Sequence, residues 1–225
     1  MNVQKNQLAC IEINPKTAPT HSIIWLHGLG ADGHDFAPMV PELKLPSALS
    51  VRFVFPHAPL RPVTINNGYV MRAWYDIVSM NMDQRVDKLG MDESVLNLRQ
   101  LINNELDLGI PLNKIILAGF SQGSVIALMT GLGLEHALGG ILFLSGYFPF
   151  AQETLSQMNP EVLKTPIFIA HGTEDTVVPY QAGLGSMDLL KRAGFDVTWH
   201  SYKMGHSVCP QEIQDISVWM QKVLR

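Results

Sequence analysis

Gly119-Phe120-Ser121-Gln122-Gly123 closes the apolar run Ile115–Ala118 and opens a segment of helical composition. A G-x-S-x-G pattern between a strand and a helix marks a nucleophile elbow, a turn sharp enough to hold its central residue in a strained conformation. The glycines follow from that geometry, because a side chain at 119 or 123 would run into neighbouring backbone. Such a turn lifts the Ser121 hydroxyl above the sheet edge. It also leaves the Gln122 backbone N–H at the helix start, aimed where an oxyanion would form. The chemistry it serves is nucleophilic attack on an acyl carbonyl.

A serine hydroxyl is a weak nucleophile until a base takes its proton, and the base needs an orienting acid. Around this kind of elbow the chain order is Ser, then Asp or Glu, then His. The partners belong in loops after later strands, where open α/β sheets bind their ligands. His171-Gly-Thr-Glu174-Asp175 follows the run Ile167–Ala170, and Met204-Gly205-His206 follows the alternating segment 196–202. Asp175 and His206 are therefore the expected acid and base, and periodicity leaves Glu174 open as a rival to Asp175. His200 falls inside a strand pattern and is expected on a sheet face. His171 ends its strand before Gly172, which favours a buried structural role. The second oxyanion donor is expected from Leu26-His-Gly28-Leu29-Gly30, with the Leu29 N–H turned inward. Losing one such donor typically costs about 2.7–4 kcal/mol of transition-state stabilisation.

The same loop reads Gly28-Leu-Gly30-Ala-Asp-Gly33, formally a dinucleotide fingerprint after a strand. The acidic residue expected some 20 positions on is absent, because the next strand ends Phe55-Pro56-His57. A dinucleotide site would also leave Ser121, Asp175 and His206 without a purpose. Cys209, near His206, reads as filler beside an available serine.

The elements that must position these groups are legible as patterns. Ile23–Leu26, Ile115–Ala118, Ile141–Leu144 and Ile167–Ala170 are apolar throughout, as in parallel strands buried on both faces. Val51–Phe55 is a weaker member, and the alternating segments 7–14 and 196–202 suit edge strands. Val95, Leu98, Ile102 and Leu106 predict one face of a helix near 92–108, and Ile213, Ile216, Met220 and Val223 predict a final helix. Gly194 stops a helix near 180–193. The alternation predicts one α/β domain with a doubly wound, mostly parallel sheet and helices on both faces. Residues 60–90 show no sustained period and read as a long irregular loop, lid-like or pocket-lining.

Bulk composition narrows the class further. The chain has 225 residues, 47% of them hydrophobic and 16% charged, as a compact globule requires. A net charge of −4 without basic clusters gives no footprint for nucleic acid or for a stable membrane anchor. No apolar run approaches the roughly 20 residues that span a bilayer, and the opening Met-Asn-Val-Gln-Lys lacks the apolar stretch of an export signal. Two isolated cysteines and eleven methionines point to a reducing compartment, so the cytoplasm is expected. The eight histidines show no H-E-x-x-H spacing and the cysteines no C-x-x-C, so no metal site is expected.

With these residues in hand, the chain resembles the acyl-protein thioesterase and carboxylesterase group of α/β-hydrolases, the phospholipase/carboxylesterase family. The resemblance covers nearly the whole chain. It rests on Leu26-His-Gly-Leu-Gly-Ala-Asp-Gly33, Pro56-His-Ala-Pro-Leu-Arg-Pro-Val-Thr-Ile-Asn66, Met71-Arg-Ala-Trp-Tyr-Asp76, Gly119-Phe-Ser-Gln-Gly-Ser124, His171-Gly-Thr-Glu-Asp175 and Gly205-His206. It implies a single-domain α/β-hydrolase fold over residues 1–225, selects Asp175 over Glu174, and places Leu29, Trp74 and Val177 near a bound acyl chain. Dienelactone hydrolases share the fold but use cysteine, which Ser121 disfavours. The implied activity is ester or thioester hydrolysis through an acyl-enzyme, with no cofactor. Lysophospholipase action on single-chain lipids and a binding protein with negligible turnover are the alternatives. An acylated protein is a further candidate substrate, and a homodimer a candidate assembly.

Overall fold

The computed structural model describes residues 8–79 and 87–225; Met80 and Met82 of the 60–90 stretch and residue 7 of the first edge segment lie outside the described residues. A seven-stranded sheet runs in the order β1-β3-β2-β6-β7-β8-β9. Its strands are β1 (Cys10–Ile13), β2 (His21–Leu26), β3 (Val51–Pro56), β6 (Ile115–Phe120), β7 (Gly140–Leu144), β8 (Ile167–Gly172) and β9 (Val197–Tyr202). Only β1 is antiparallel to its neighbour, pairing Cys10 with Pro56; every other pairing is parallel. The two alternating segments lie at the two edges, as their half-exposed patterns require. The four uniformly apolar runs and the weaker Val51–Phe55, which carries Arg52, are the five interior strands.

Period-2 geometry sends successive side chains of each interior strand to opposite faces. Ile24, Leu26, Val54, Leu117, Phe143 and Ile169 meet α1 (Lys88–Asp107), α2 (Gln122–Leu132) and α4 (Tyr180–Ala193). Ile23, Trp25, Phe55, Ala118, Leu144 and Phe168 meet α5 (Pro210–Val223) and a 3-10 turn over Ala37–Leu43. A short α3 (Ala151–Gln157) completes the α-helices of the described residues. The fold is the α/β-hydrolase arrangement, a mostly parallel sheet covered on both faces.

Helix α1 starts four residues before the predicted 92–108 span, because the Asp87 carboxylate accepts from the Gly90 N–H at 2.9 Å and caps it. Leu98, Leu101 and Ile102 form its buried face, while Leu106 is 40% exposed. Gly194 ends α4 at φ 100°, a left-handed conformation that glycine adopts without strain.

The stretch read as irregular contains regular structure. Leu60–Val63 (β4) and Tyr69–Arg72 (β5) form an antiparallel hairpin with Val63 opposite Tyr69. Asn67 (φ 54°) and Gly68 (φ 74°) close its turn. The hairpin escaped pattern reading because Leu60-Arg-Pro-Val63 carries a proline and no alternation, and because Leu60, Tyr69 and Val70 stay exposed.

One buried ion cluster ties an edge strand to a helix. Arg52 on β3 donates to both Glu105 carboxylate oxygens at 3.2 Å and reaches Glu12 on β1 at 2.7 Å. Glu105 is 2% exposed, and removing it leaves the buried side of the Arg52 guanidinium without its carboxylate, with Glu12 and Asn14 as the remaining partners. Glu105→Ala should lower the urea-unfolding free energy by about 3–5 kcal/mol. Glu12→Ala, at a carboxylate 46% exposed, should cost under about 1 kcal/mol.

Candidate active site

Ser121 stands between β6 and α2 with φ 54° and ψ −120°, a conformation that non-glycine residues avoid. Its neighbours are glycines for a measurable reason. A Cβ at 119 would lie 2.2 Å from the Gly123 carbonyl oxygen, and one at 123 would lie 2.5 Å from that of Leu26. The elbow is pinned by the Ser121 N–H donating to Leu144 O at 2.9 Å and by Ser124 Oγ donating to Ser121 O at 2.7 Å.

Three side chains from three loops converge there. His206 Nε2 lies 2.9 Å from Ser121 Oγ, and its Nδ1 donates to Asp175 Oδ2 at 2.7 Å. The other Asp175 oxygen accepts the Val177 and Val178 N–H groups at 2.8 and 2.9 Å, which satisfies a carboxylate that is 7% exposed. Phe120 packs on the His206 ring at 4.8 Å. Glu174, the rival acid, is exposed, with only its backbone N–H engaged, to Met204 O at 3.0 Å. His200 stacks on Phe168 and lies 3.5 Å from Asp215, on a face of the sheet.

Behind the carboxylate stands His171, fully buried, with Nε2 donating to Val178 O at 2.8 Å and 3.4 Å from Asp175 Oδ2. Burial pushes its pKa down, so it remains neutral and leaves the Asp175 charge to His206. His27, ahead of the Leu29 loop, is held the same way. Its Nδ1–H donates to Gly28 O at 2.7 Å and its Nε2 accepts from Ala58 N at 3.1 Å, while burial lowers its pKa to about 4.

A cavity of about 390 Å³ opens beside Ser121. Leu29 and Val177 line it, together with Tyr75, Ile77, Tyr147 and Asp35. Trp74 does not. It is fully buried, its indole N–H donating to His27 O at 2.8 Å, and the place expected for it beside the cavity is taken by Tyr75 and Ile77. The alternation of the 71–77 stretch is too weak in sequence to show which of its aromatics faces the cavity. Neither the Leu29 nor the Gln122 N–H donates to a backbone acceptor among the described residues.

One group among the described residues has donors at metal-ligand spacing, Asp32, His34 and His57, within 4.8 Å of one another. None of the three lines the cavity. His57 Nδ1 already accepts from Gly33 N at 3.1 Å, and the positive charge of Arg72 acts on the same ring.

The phospholipase/carboxylesterase family pattern matches residues 8–224. This chain belongs to that family. It is 40% identical to acyl-protein thioesterase 1 of Yarrowia lipolytica over 220 residues, covering 96% of this chain and 97% of the relative. It is 35% identical to carboxylesterase SOBER1 of Arabidopsis thaliana over 206 residues, with 90% of each chain covered. The crystal structure of SOBER1 superposes with a TM-score of 0.85, covering 91% of this chain and 99% of that one. Zea mays acyl-protein thioesterase 2 superposes equally, at 0.85 and 30% identity, covering 96% and 99%.

The loop that carries His206 runs into α5, where Glu212 is fully buried with neither carboxyl oxygen hydrogen-bonded. Burial raises its pKa from 4.5 to about 8, opposed by the Cys209 backbone and reinforced by the Asp215 charge. Between those values the unfolded chain releases this proton while the folded chain keeps it, so stability falls as pH rises across the window. Glu212→Gln should shrink the loss of unfolding free energy between pH 5 and 8 by about 2–4 kcal/mol. Urea titrations of both proteins at the two pH values check this, and an unchanged difference would refute it.

Proposed function

We propose that this protein is a serine hydrolase that cleaves carboxylic esters and acyl thioesters through an acyl-enzyme. The observation that carries the reading is the unbroken chain from cavity to buried carboxylate, Ser121 Oγ to His206 at 2.9 Å and His206 to Asp175 at 2.7 Å. Membership of the phospholipase/carboxylesterase family, and relatives named as thioesterases and carboxylesterases, support the same reaction class.

Ser121 Oγ attacks the acyl carbonyl carbon while His206 Nε2 takes the hydroxyl proton. Asp175 holds the ring with Nδ1–H inward, so Nε2 faces the nucleophile, and it stabilises the imidazolium that forms. The Leu29 and Gln122 N–H groups donate hydrogen bonds to the carbonyl oxygen as negative charge develops on it. The tetrahedral adduct collapses, the bond to the alcohol or thiol breaks, and His206 returns its proton to that leaving group. Water, deprotonated by His206, attacks the acyl carbon; the second adduct collapses, the bond to Ser121 Oγ breaks, His206 returns the proton to that oxygen, and the acid leaves. The cavity takes the acyl chain, with Leu29 and Val177 among its walls.

The finer parts of the reading are an acylated protein or a small ester or thioester as substrate, the cytoplasm as the place of work, and a homodimer as the assembly. Among the described residues no helix is long and apolar enough to cross a membrane.

Ser121→Ala should lose p-nitrophenyl ester turnover by at least about 10⁴-fold and should no longer react with a fluorophosphonate probe. Retained turnover removes Ser121 from the mechanism. Turnover of short esters, long-chain thioesters and lysolipids by the same preparation ranks the substrate classes, and Ile77→Trp should depress long chains relative to butyrate by narrowing the cavity. A wild-type protein that labels yet turns over none of these would favour the binding-protein alternative.

A further inference from the structure

The two N–H groups assigned to the oxyanion come from loops far apart in the chain, Gly28–Gly30 after β2 and Gln122 after β6. Ser121 holds a strained backbone at φ 54°, and Gly30 turns its loop at φ 77°, a left-handed angle open to glycine. A short segment, residues 72–75, is bonded to both. The Arg72 carbonyl accepts the Gly30 N–H at 2.9 Å, and the Trp74 indole N–H reaches the His27 carbonyl at 2.8 Å. Across the site, the Gln122 carboxamide accepts from Trp74 N at 3.1 Å and donates to Tyr75 O at 2.9 Å. Four hydrogen bonds thus connect two donor peptides through one strap.

We propose that the Trp74 indole N–H and the Gln122 side chain are positioning residues for the oxyanion hole, holding the Leu29 and Gln122 peptides at the separation that the tetrahedral oxyanion requires. The proposal rests on the acyl-transfer reading above. Gln122 has two separable parts in it: its backbone N–H meets the oxyanion, and its carboxamide grips the strap that fixes the opposite loop. Both groups are buried, so no water stands in for a lost bond, and the vacated polar partner is left unpaired. Ser94 Oγ, donating to the Trp74 carbonyl, anchors the strap to α1 and keeps the indole from following either loop. Tyr75, next along the strap, lines the cavity.

Interactions realised only in the transition state appear in kcat and leave KM alone. The test uses Trp74→Phe, which keeps most of the ring and deletes the N–H, and Gln122→Met, which keeps the length and deletes both bonds. Each is assayed with p-nitrophenyl butyrate and with an alkyl trifluoromethyl ketone. Ser121 Oγ adds to the ketone carbon, His206 takes the serine proton, and the resulting hemiketal oxygen sits as an anion in the hole. In each variant kcat should fall about 10- to 100-fold while KM stays within about twofold. The ketone inhibition constant should rise by the same factor as kcat/KM falls. The double variant should lose little more than the worse single, because the two groups act through one strap.

An unchanged kcat, a loss carried by KM, a ketone affinity that holds while kcat falls, or fully additive losses would each overturn the proposal. If Trp74→Phe does not fold, Gln122→Met decides alone. A wild-type protein that neither turns over the ester nor binds the ketone defeats the underlying acyl-transfer reading instead.

Discussion

Everything around the site answers to one strained residue. With φ at 54° and ψ at −120°, Ser121 persists only because its surroundings leave no alternative. Gly119 and Gly123 allow β6 and the first turn of α2 to approach within distances no Cβ would survive, and Gly123 in turn lies against the end of β2. The contact between α2 and β2 brings the Leu26–Gly30 loop beside the elbow. A fold that relaxed the elbow would separate the nucleophile from both proposed oxyanion donors at once.

Electrostatics at the site follow from which groups are allowed to keep a charge. Asp175 is buried yet meets two backbone N–H groups as well as His206, so both its carboxyl oxygens are hydrogen-bonded. Two buried histidines, His171 behind Asp175 and His27 at the end of β2, are held neutral by desolvation, and each uses its ring as a hydrogen-bonded spacer rather than as a base. His206 differs from them by position: it is 16% exposed at the cavity edge and faces both a carboxylate and a hydroxyl. Glu212 is the opposite case, a buried carboxyl with no partner, at the foot of the loop that carries His206.

Much of this was legible in the chain before any coordinates. The interior strands announced themselves because burial on both faces favours runs of apolar residues, and the elbow because its backbone demands glycine. The order of Ser121, Asp175 and His206 along uniformly placed post-strand loops pointed to the same three side chains that converge in space. The hairpin β4–β5 was not legible, because its short strands carry a proline and bury only Val63. Trp74 was misplaced for a related reason: in a stretch without periodicity, sequence says that an aromatic is present but not which way it faces. Tyr75 and Ile77, its neighbours, turned out to be the ones lining the cavity.

By itself the sequence determined the interior strands, the elbow and the candidate triad, since each follows from a local requirement: burial on both faces, a backbone approach too close for a Cβ, a loop after a strand. What only the tertiary structure decided is how residues distant in the chain share one site. The carboxamide of Gln122 closing on Trp74 and Tyr75, the indole of Trp74 closing on His27, and the choice of Tyr75 over Trp74 as the cavity wall depend on contacts between segments some 50 residues apart. No local pattern encodes them, because a hydrogen bond across the fold leaves no period in the chain.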